Sequence, residues 1–257
     1  MKHPLRTLLL AVCCGLAAAC TQRQERLKLM SYNIRNGIGI DNIQDIGRIA
    51  RVILREAPDL VALQELDSAT LRVDGRYIPG ELGRMTGMHA TFGRAIGFAG
   101  GSYGIGLLSR TEPLAVRRIP LPGREESRVL FVAEFPDYVV CVTHLSLTPE
   151  DQRASLPIIR TVTDTCRKPV LLAGDFNTGN AAAVLAGLGG GFRILSDTTR
   201  MTFPSDNPAV RIDYILGRGL PTSATVAESA VDHTATASDH CPLWVTLVWK
   251  RGKQPGK

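Results

Sequence analysis

Leu60-Val61-Ala62-Leu63-Gln64-Glu65 is a run of four apolar residues closed by an amide and a carboxylate. A run this short, with Pro58 just behind it, reads as a buried strand whose polar end surfaces at the edge of a sheet. The same signature recurs outward from it. Upstream, Leu27 to Ile34 is strand-like, places Asn33 near its end and leads into the turn-prone pair Asn36-Gly37. Between the two, Ile43, Ile46, Ile49, Ala50 and Ile53 recur at helical spacing, with Asp41 and Asn42 as capping candidates and Pro58 as the stop.

Downstream, strands are expected at Ile105–Leu108, Val129–Phe135, Tyr138–Thr143, Val170–Ala173, Ile212–Leu216 and Leu243–Trp249. Thr148-Pro149 opens a helix from about Glu150 to Thr165, which Pro157 should kink. Polar residues stand at the strand ends again: His144 in Val-Thr-His-Leu, Asp175 and Asn177 in Gly-Asp-Phe-Asn, and Asp213 in Arg-Ile-Asp-Tyr-Ile. Asp239 and His240 follow in Ser-Asp-His-Cys-Pro-Leu. Strand-end placement gathers all of them at one rim of a packed sheet. Singly, each is ordinary: Asn33 a turn former, Asp175 and Asn177 an Asx pair, His144 a bonded loop residue, Asp213 a salt-bridge partner.

The 257 residues, 44% hydrophobic with mean hydropathy +0.04, suit one sizeable domain plus a short address. Lys2 and Arg6 precede an apolar stretch from Thr7 to Ala19, the pattern of a secretory signal over residues 1–19 and too short to span a bilayer comfortably. Leu16-Ala17-Ala18-Ala19-Cys20 resembles the bacterial lipobox, where cleavage precedes a cysteine that carries diacylglycerol, although leucine stands fourth rather than third before Cys20. The expectation is an exported, membrane-anchored lipoprotein, periplasmic or on the outer face, with a tether over residues 20–26, a domain over 27–250 and a basic tail over 251–257; ordinary signal cleavage and an uncleaved anchor are the alternatives. Cys141, Cys166 and Cys241 are an odd trio in the body, so they read as small core hydrophobes rather than a disulfide framework.

The net charge of +6 sits at the ends. Lys2 and Arg6 leave with the signal, and Lys250, Arg251, Lys253 and Lys257 lie in the last eight residues, so the body holds 24 bases against 24 acids. A neutral body gives little grip on long nucleic acid. No feature points to a protein partner.

Taken in order, the strand-end motifs resemble the superfamily of deoxyribonuclease I, abasic-site endonucleases, neutral sphingomyelinases and inositol-polyphosphate phosphatases. The resemblance spans Leu27 to Val248 and implies an α/β (α+β) fold: a four-layer α/β/β/α sandwich of two mainly antiparallel sheets flanked by helices, with the site at one edge between the sheets. Carried over by motif, Glu65 resembles the principal metal ligand, with Asn33 beside it and Asp239 completing the shell. Asp175 is similar to the residue that orients or deprotonates the attacking water, and Asn177 to a donor to the phosphate. His240, polarised by Asp213, and His144 resemble the two histidines that face the scissile phosphate, and Tyr103 resembles a phosphate-touching tyrosine. Arg35 departs from the abasic-endonuclease branch, which has an acid there.

The chemistry agrees from below. Water attacking a phosphodiester passes through a crowded, doubly charged state that a hard cation on oxygen ligands neutralises. Asn33, Glu65 and Asp239 offer such ligands, and the lack of a Cys/His quartet at zinc spacing favours magnesium or manganese. The expected activity is hydrolysis of a lipid head group, a glycosyl-phosphatidylinositol-like compound or a small phosphate ester. An extracytoplasmic nuclease and a catalytically silent binding module are the alternatives. Arg128 and Arg211 are further candidates for phosphate contact, and Ser238 competes as a nucleophile on residue type alone.

Overall fold

Strand β1 (Gln24–Asn33) is the spine of the molecule, in a computed structural model that describes residues 24–250. The signal, Cys20 and the basic tail from Arg251 lie outside the described residues. The strand begins inside the expected tether, because Gln24 to Arg26 pair with Lys250 to Val248 of β12 (Leu243–Lys250).

Helix α1 (Ile46–Glu56) is capped by Asp45, whose side chain accepts from the Arg48 amide; Asp41 instead accepts from Ile43 N and pairs with Arg48. Strand β2 (Leu60–Ser68) follows, parallel to β1, and then come α2 (Ile78–Thr86), β3 (His89–Phe98) and β4 (Gly101–Ser109). With β11 (Thr225–Val231) these strands form one sheet in the order β11-β12-β1-β2-β4-β3. The second sheet holds β5 (Ala115–Leu121), β6 (Arg128–Glu134), β7 (Val139–His144), β8 (Val170–Asp175), β10 (Asp213–Arg218) and β9 (Arg193–Ile194), in that spatial order. Helix α3 (Pro149–Asp164) carries Pro157 in its interior, and α4 (Ala181–Leu188) follows β8.

Three apolar layers hold this together. Leu29, Ala62, Leu107, Phe131, Val142, Ala173, Ile215 and Val245 meet between the sheets. α1 and α2 cover one outer face through Ile49, Ile53, Ile78 and Leu82, and α3 and α4 cover the other through Leu156, Ile159, Val184 and Leu188. The result is the four-layer sandwich, with parallel pairing only at β1–β2 and β7–β8 among the described strands. Cys141, Cys166 and Cys241 are free thiols packed in or against these layers.

Strand alternation now places the site. Leu27, Leu29 and Ser31 point between the sheets, and two residues on so does Asn33. The same step leads from Val140 and Val142 to His144, from Leu171 and Ala173 to Asp175, and back from Ile215 to Asp213. Each functional side chain continues an inter-sheet row past the point where apolar filling stops. Glu65 breaks the parity, since Gln64 already occupies the inward position. A β-bulge corrects it: Leu63 pairs with Gly106 and Leu66 with Gly104, so β2 holds an extra residue, and Glu65 takes the left-handed φ of 56°.

Candidate active site

Asp175 lies at the centre of the rim. Its Oδ1 accepts from the Asn177 backbone amide at 2.8 Å and its Oδ2 from Asn33 Nδ2 at 3.2 Å. The same Oδ2 lies 3.5 Å from His144 Nε2 and 3.7 Å from His240 Nε2. Asp175 is 1% exposed; burial first, and then the neighbouring Asp213 carboxylate, push it well above the usual carboxylate range. Gly174 before it admits no side chain, because a Cβ there would meet the Thr143 carbonyl oxygen of β7 at 1.9 Å.

The two histidines differ in charge state, one a cation and the other neutral. His240 Nδ1 donates to Asp213 Oδ2 at 3.0 Å; burial alone would lower its pKa, but the Asp213 charge and hydrogen bond outweigh it and hold His240 up at about 10. His144 is held well below its ordinary value by burial, then by the positive charges of Arg128 and His240. At neutral pH the site therefore has an imidazolium on one flank of Asp175 and a neutral imidazole on the other. The second flank is a contact of a carboxylate with a neutral ring and not an ion pair.

Asn33 Nδ2 donates to Glu65 Oε1 at 3.0 Å as well as to Asp175, while its Oδ1 accepts from the Arg35 amide at 3.1 Å. Half-buried Glu65 and Asp239 are the more open carboxylates of the rim; Arg35 Nε lies 3.5 Å from Asp239 Oδ2. Tyr103 is 8% exposed, and burial and then the Glu65 charge keep it a phenol, able to donate. Asn177 spends one amide hydrogen on the Leu145 carbonyl at 2.8 Å and adopts a φ of 51°.

Asp175, Asp213 and His240 bring ligand atoms within 4.8 Å of one another, a grouping that could also hold a cation. Two of the three are already joined by the hydrogen bond from His240 Nδ1 to Asp213, and ligation through that atom would require His240 to lose a strongly held proton. The cluster is thus better built for moving protons. Half-buried Glu65 and Asp239, with the side-chain oxygen of buried Asn33 behind them, are an all-oxygen set whose chemistry fits a hard divalent ion.

Other sequence candidates have different occupations. Arg128 pairs with Glu125 at 3.2 Å and Glu126 at 3.3 Å, and Arg211 stacks over Tyr214 at 4.4 Å. Ser238 is buried and donates to the Asn33 carbonyl at 2.7 Å, which fixes the loop carrying Asp239 and His240 and removes it as a nucleophile. Gly100-Gly101-Ser102-Tyr103-Gly104 spells Gly-x-Ser-x-Gly, but it turns the β3–β4 hairpin instead of leading from strand into helix. Sequence reasoning missed Phe203, 4.8 Å from the His240 ring, and Arg72, which bonds Asp67 and Asn36 and lies 5.0 Å over Tyr103. Neither belongs to an apolar strand run, so no pattern marks them.

A rim between two sheets that sets a buried Asp–His pair beside more open carboxylates is the arrangement of a divalent-metal-dependent phosphoric ester hydrolase, and the family match shows that class. The chain belongs to the endonuclease/exonuclease/phosphatase family, whose model matches residues 30–240. An endonuclease/exonuclease/phosphatase from Beutenbergia cavernae DSM 12333 superposes with a TM-score of 0.70 at 24% identity, over 88% of this chain and 72% of that one. A mannosyl-6-phosphatase from Bacteroides thetaiotaomicron VPI-5482 gives 0.67 at 18% identity, covering 86% of this chain and 99% of the other. A humanized D. rerio TDP2 gives 0.65 at 20% identity, covering 86% and 98%. At these identities the solved structures speak for the fold.

Proposed function

We propose that this protein is an exported, lipid-anchored hydrolase that acts on a compact phosphoester, a small phosphate ester or a lipid head group, with magnesium or manganese as its ion. The observation that carries the choice of a compact substrate is that five arginines of this side of the molecule are each paired with a carboxylate. Arg35 faces Asp239, Arg48 faces Asp41, Arg72 faces Asp67, Arg124 faces Asp151 and Arg128 faces two glutamates. A surface that grips several successive phosphates needs uncommitted cations, and these five are committed, which leaves Arg211, over Tyr214, as the cation without a carboxylate ion pair nearest the Asp213 strand among the described residues. The likeness to a mannosyl-6-phosphatase supports a small ester, the likeness to TDP2 does not separate ester types, and the balanced body charge argues against a nuclease.

In this reading Glu65, Asp239 and Asn33 hold the cation, which when bound neutralises charge on the phosphoryl oxygens. Asp175, raised by burial, takes a proton from the attacking water. The His240 cation, kept charged by Asp213, donates to a phosphoryl oxygen as negative charge grows there, and Tyr103 donates beside it. Neutral His144 offers a further donor without adding a charge.

Glu65→Gln keeps the side chain's shape and removes its charge, so metal-dependent turnover is expected to fall by about 100-fold or more with the fold intact. Retained turnover with unchanged magnesium dependence would remove Glu65 from the ligand set. Substrate size is tested by salt: activity on bis-nitrophenyl phosphate should exceed that on plasmid DNA and change by less than about threefold between roughly 50 and 200 mM salt. Efficient plasmid cleavage with a steep salt slope, beside negligible turnover of the small diester, would favour the nuclease.

A further inference from the structure

The direction of β1 fixes where the site stands relative to the proposed anchor. The strand enters at Gln24, paired with Lys250, and delivers Asn33 to the site at its other end. Its 10 residues, at ~3.3 Å each, separate those ends by roughly 30 Å. β2, β7 and β8 run the same way, toward Glu65, His144 and Asp175, so the whole site lies at the end of the sandwich opposite Gln24.

Cys20 is four residues before Gln24, and a fully extended chain of that length reaches about 14 Å. A lipid on Cys20 therefore cannot stay in a bilayer while the rim of the site rests on the same bilayer. The Gln24 end is itself suited to face the membrane. An apolar groove opens there between the two sheets, lined by Leu27, Tyr138, Leu220, Pro221 and Trp249. Half-buried Trp249 and Tyr138 are aromatics of the kind that settle at a lipid–water boundary. Arg26 and Lys250 flank the groove against Glu25, Asp59 and Asp137, and the bases Arg251, Lys253 and Lys257 follow from this end, tilting the balance toward an anionic surface.

Apolar side chains are also exposed at the other end, around the site: Leu71, Phe98, Leu147, Met201 and Val210. Alone they would speak for a rim lying on lipid. The reach of the tether decides against that for the anchoring membrane and leaves those side chains for whatever arrives from the aqueous side.

We infer that the Gln24–Lys250 end is the face turned to the anchoring membrane, so that the site is held away from it. The inference rests on the anchored-hydrolase reading and narrows its substrate to phosphoesters that reach the site through water. Head groups of the anchoring leaflet are out of range.

The test uses the full lipidated protein in vesicles of phosphatidylglycerol and phosphatidylethanolamine containing an acceptor-labelled lipid. A donor dye is placed either on Thr222→Cys, exposed beside the groove, or on Ser127→Cys, exposed at the site end, with Cys166→Ala in both. Transfer is expected to be higher from position 222 than from 127, and lengthening the tether by about 30 Gly/Ser residues should shrink that difference, since such a linker spans roughly 30 Å. Equal or reversed ordering at native tether length overturns the orientation, whatever the enzyme hydrolyses. If the wild type stays soluble with an unmodified amino terminus, or if Cys20→Ser still joins the vesicles in the same orientation, the anchor argument fails instead. Turnover of bis-nitrophenyl phosphate, measured in parallel, reports on the hydrolase reading separately.

Discussion

Asp175→Asn is expected to lower kcat by about a thousandfold while the protein stays folded and melts close to the wild type. The two halves of this expectation have one cause. A carboxylate that is 1% exposed, with a second carboxylate at Asp213 nearby, is basic because its charge is poorly solvated. That basicity suits it to take a proton from water near neutral pH, and the same poor solvation makes its charge a burden on the folded state. The asparagine keeps an oxygen for the Asn177 amide, so the loop after β8 should hold its shape, while the lost acceptor for Asn33 Nδ2 offsets part of the relief from a poorly solvated charge. Steady-state kinetics with magnesium and a thermal melt check both halves. Activity within about fivefold of wild type would take the proton-accepting role away from Asp175.

Asp213→Ala, His240→Ala and the double variant should lose nearly equal amounts of kcat, about 100-fold or more each, because a hydrogen-bonded pair that works as one unit fails when either half is removed. A second readout separates this from simple disruption. Without the Asp213 charge the His240 pKa falls from about 10, so Asp213→Asn should bring the alkaline limb of the pH–rate profile to lower pH. Additive losses in log kcat, or an unmoved limb, would mean that the two residues act separately.

Much of this site could be read from the sequence, and the reason lies in the strands that carry it. Asn33, His144 and Asp175 close their strands, Asp213 opens β10 and Glu65 follows the apolar run of β2, all on strands inside a sheet, where burial on both faces demands an unbroken apolar run, so a polar residue at the end of the run stands out. The strands that sequence reasoning did not find are β3, β11, β5 and β9, the four edges of the two sheets. An edge strand has one neighbour and an open flank, and Arg117, Arg118 and Pro120 in β5 suit such a place while erasing the apolar signal. Helices α2 and α4 were missed for another reason: they are short, and α4 in particular has little amphipathic contrast. The bulge at Glu65 was equally hidden, since residue type reveals neither an extra residue in a ladder nor a left-handed φ.

That bulge sets stability and turnover against each other at one position. A side chain held at a φ of 56° costs about 1 kcal/mol or more that glycine would not. Glu65→Gly should thus melt at or above the wild-type temperature and be inactive, whereas glycine at Leu63, two residues earlier in the same strand, should lower the melting point. A selection of variants for heat resistance alone would discard the carboxylate at position 65 without penalty, and only a selection that also demands turnover would keep it.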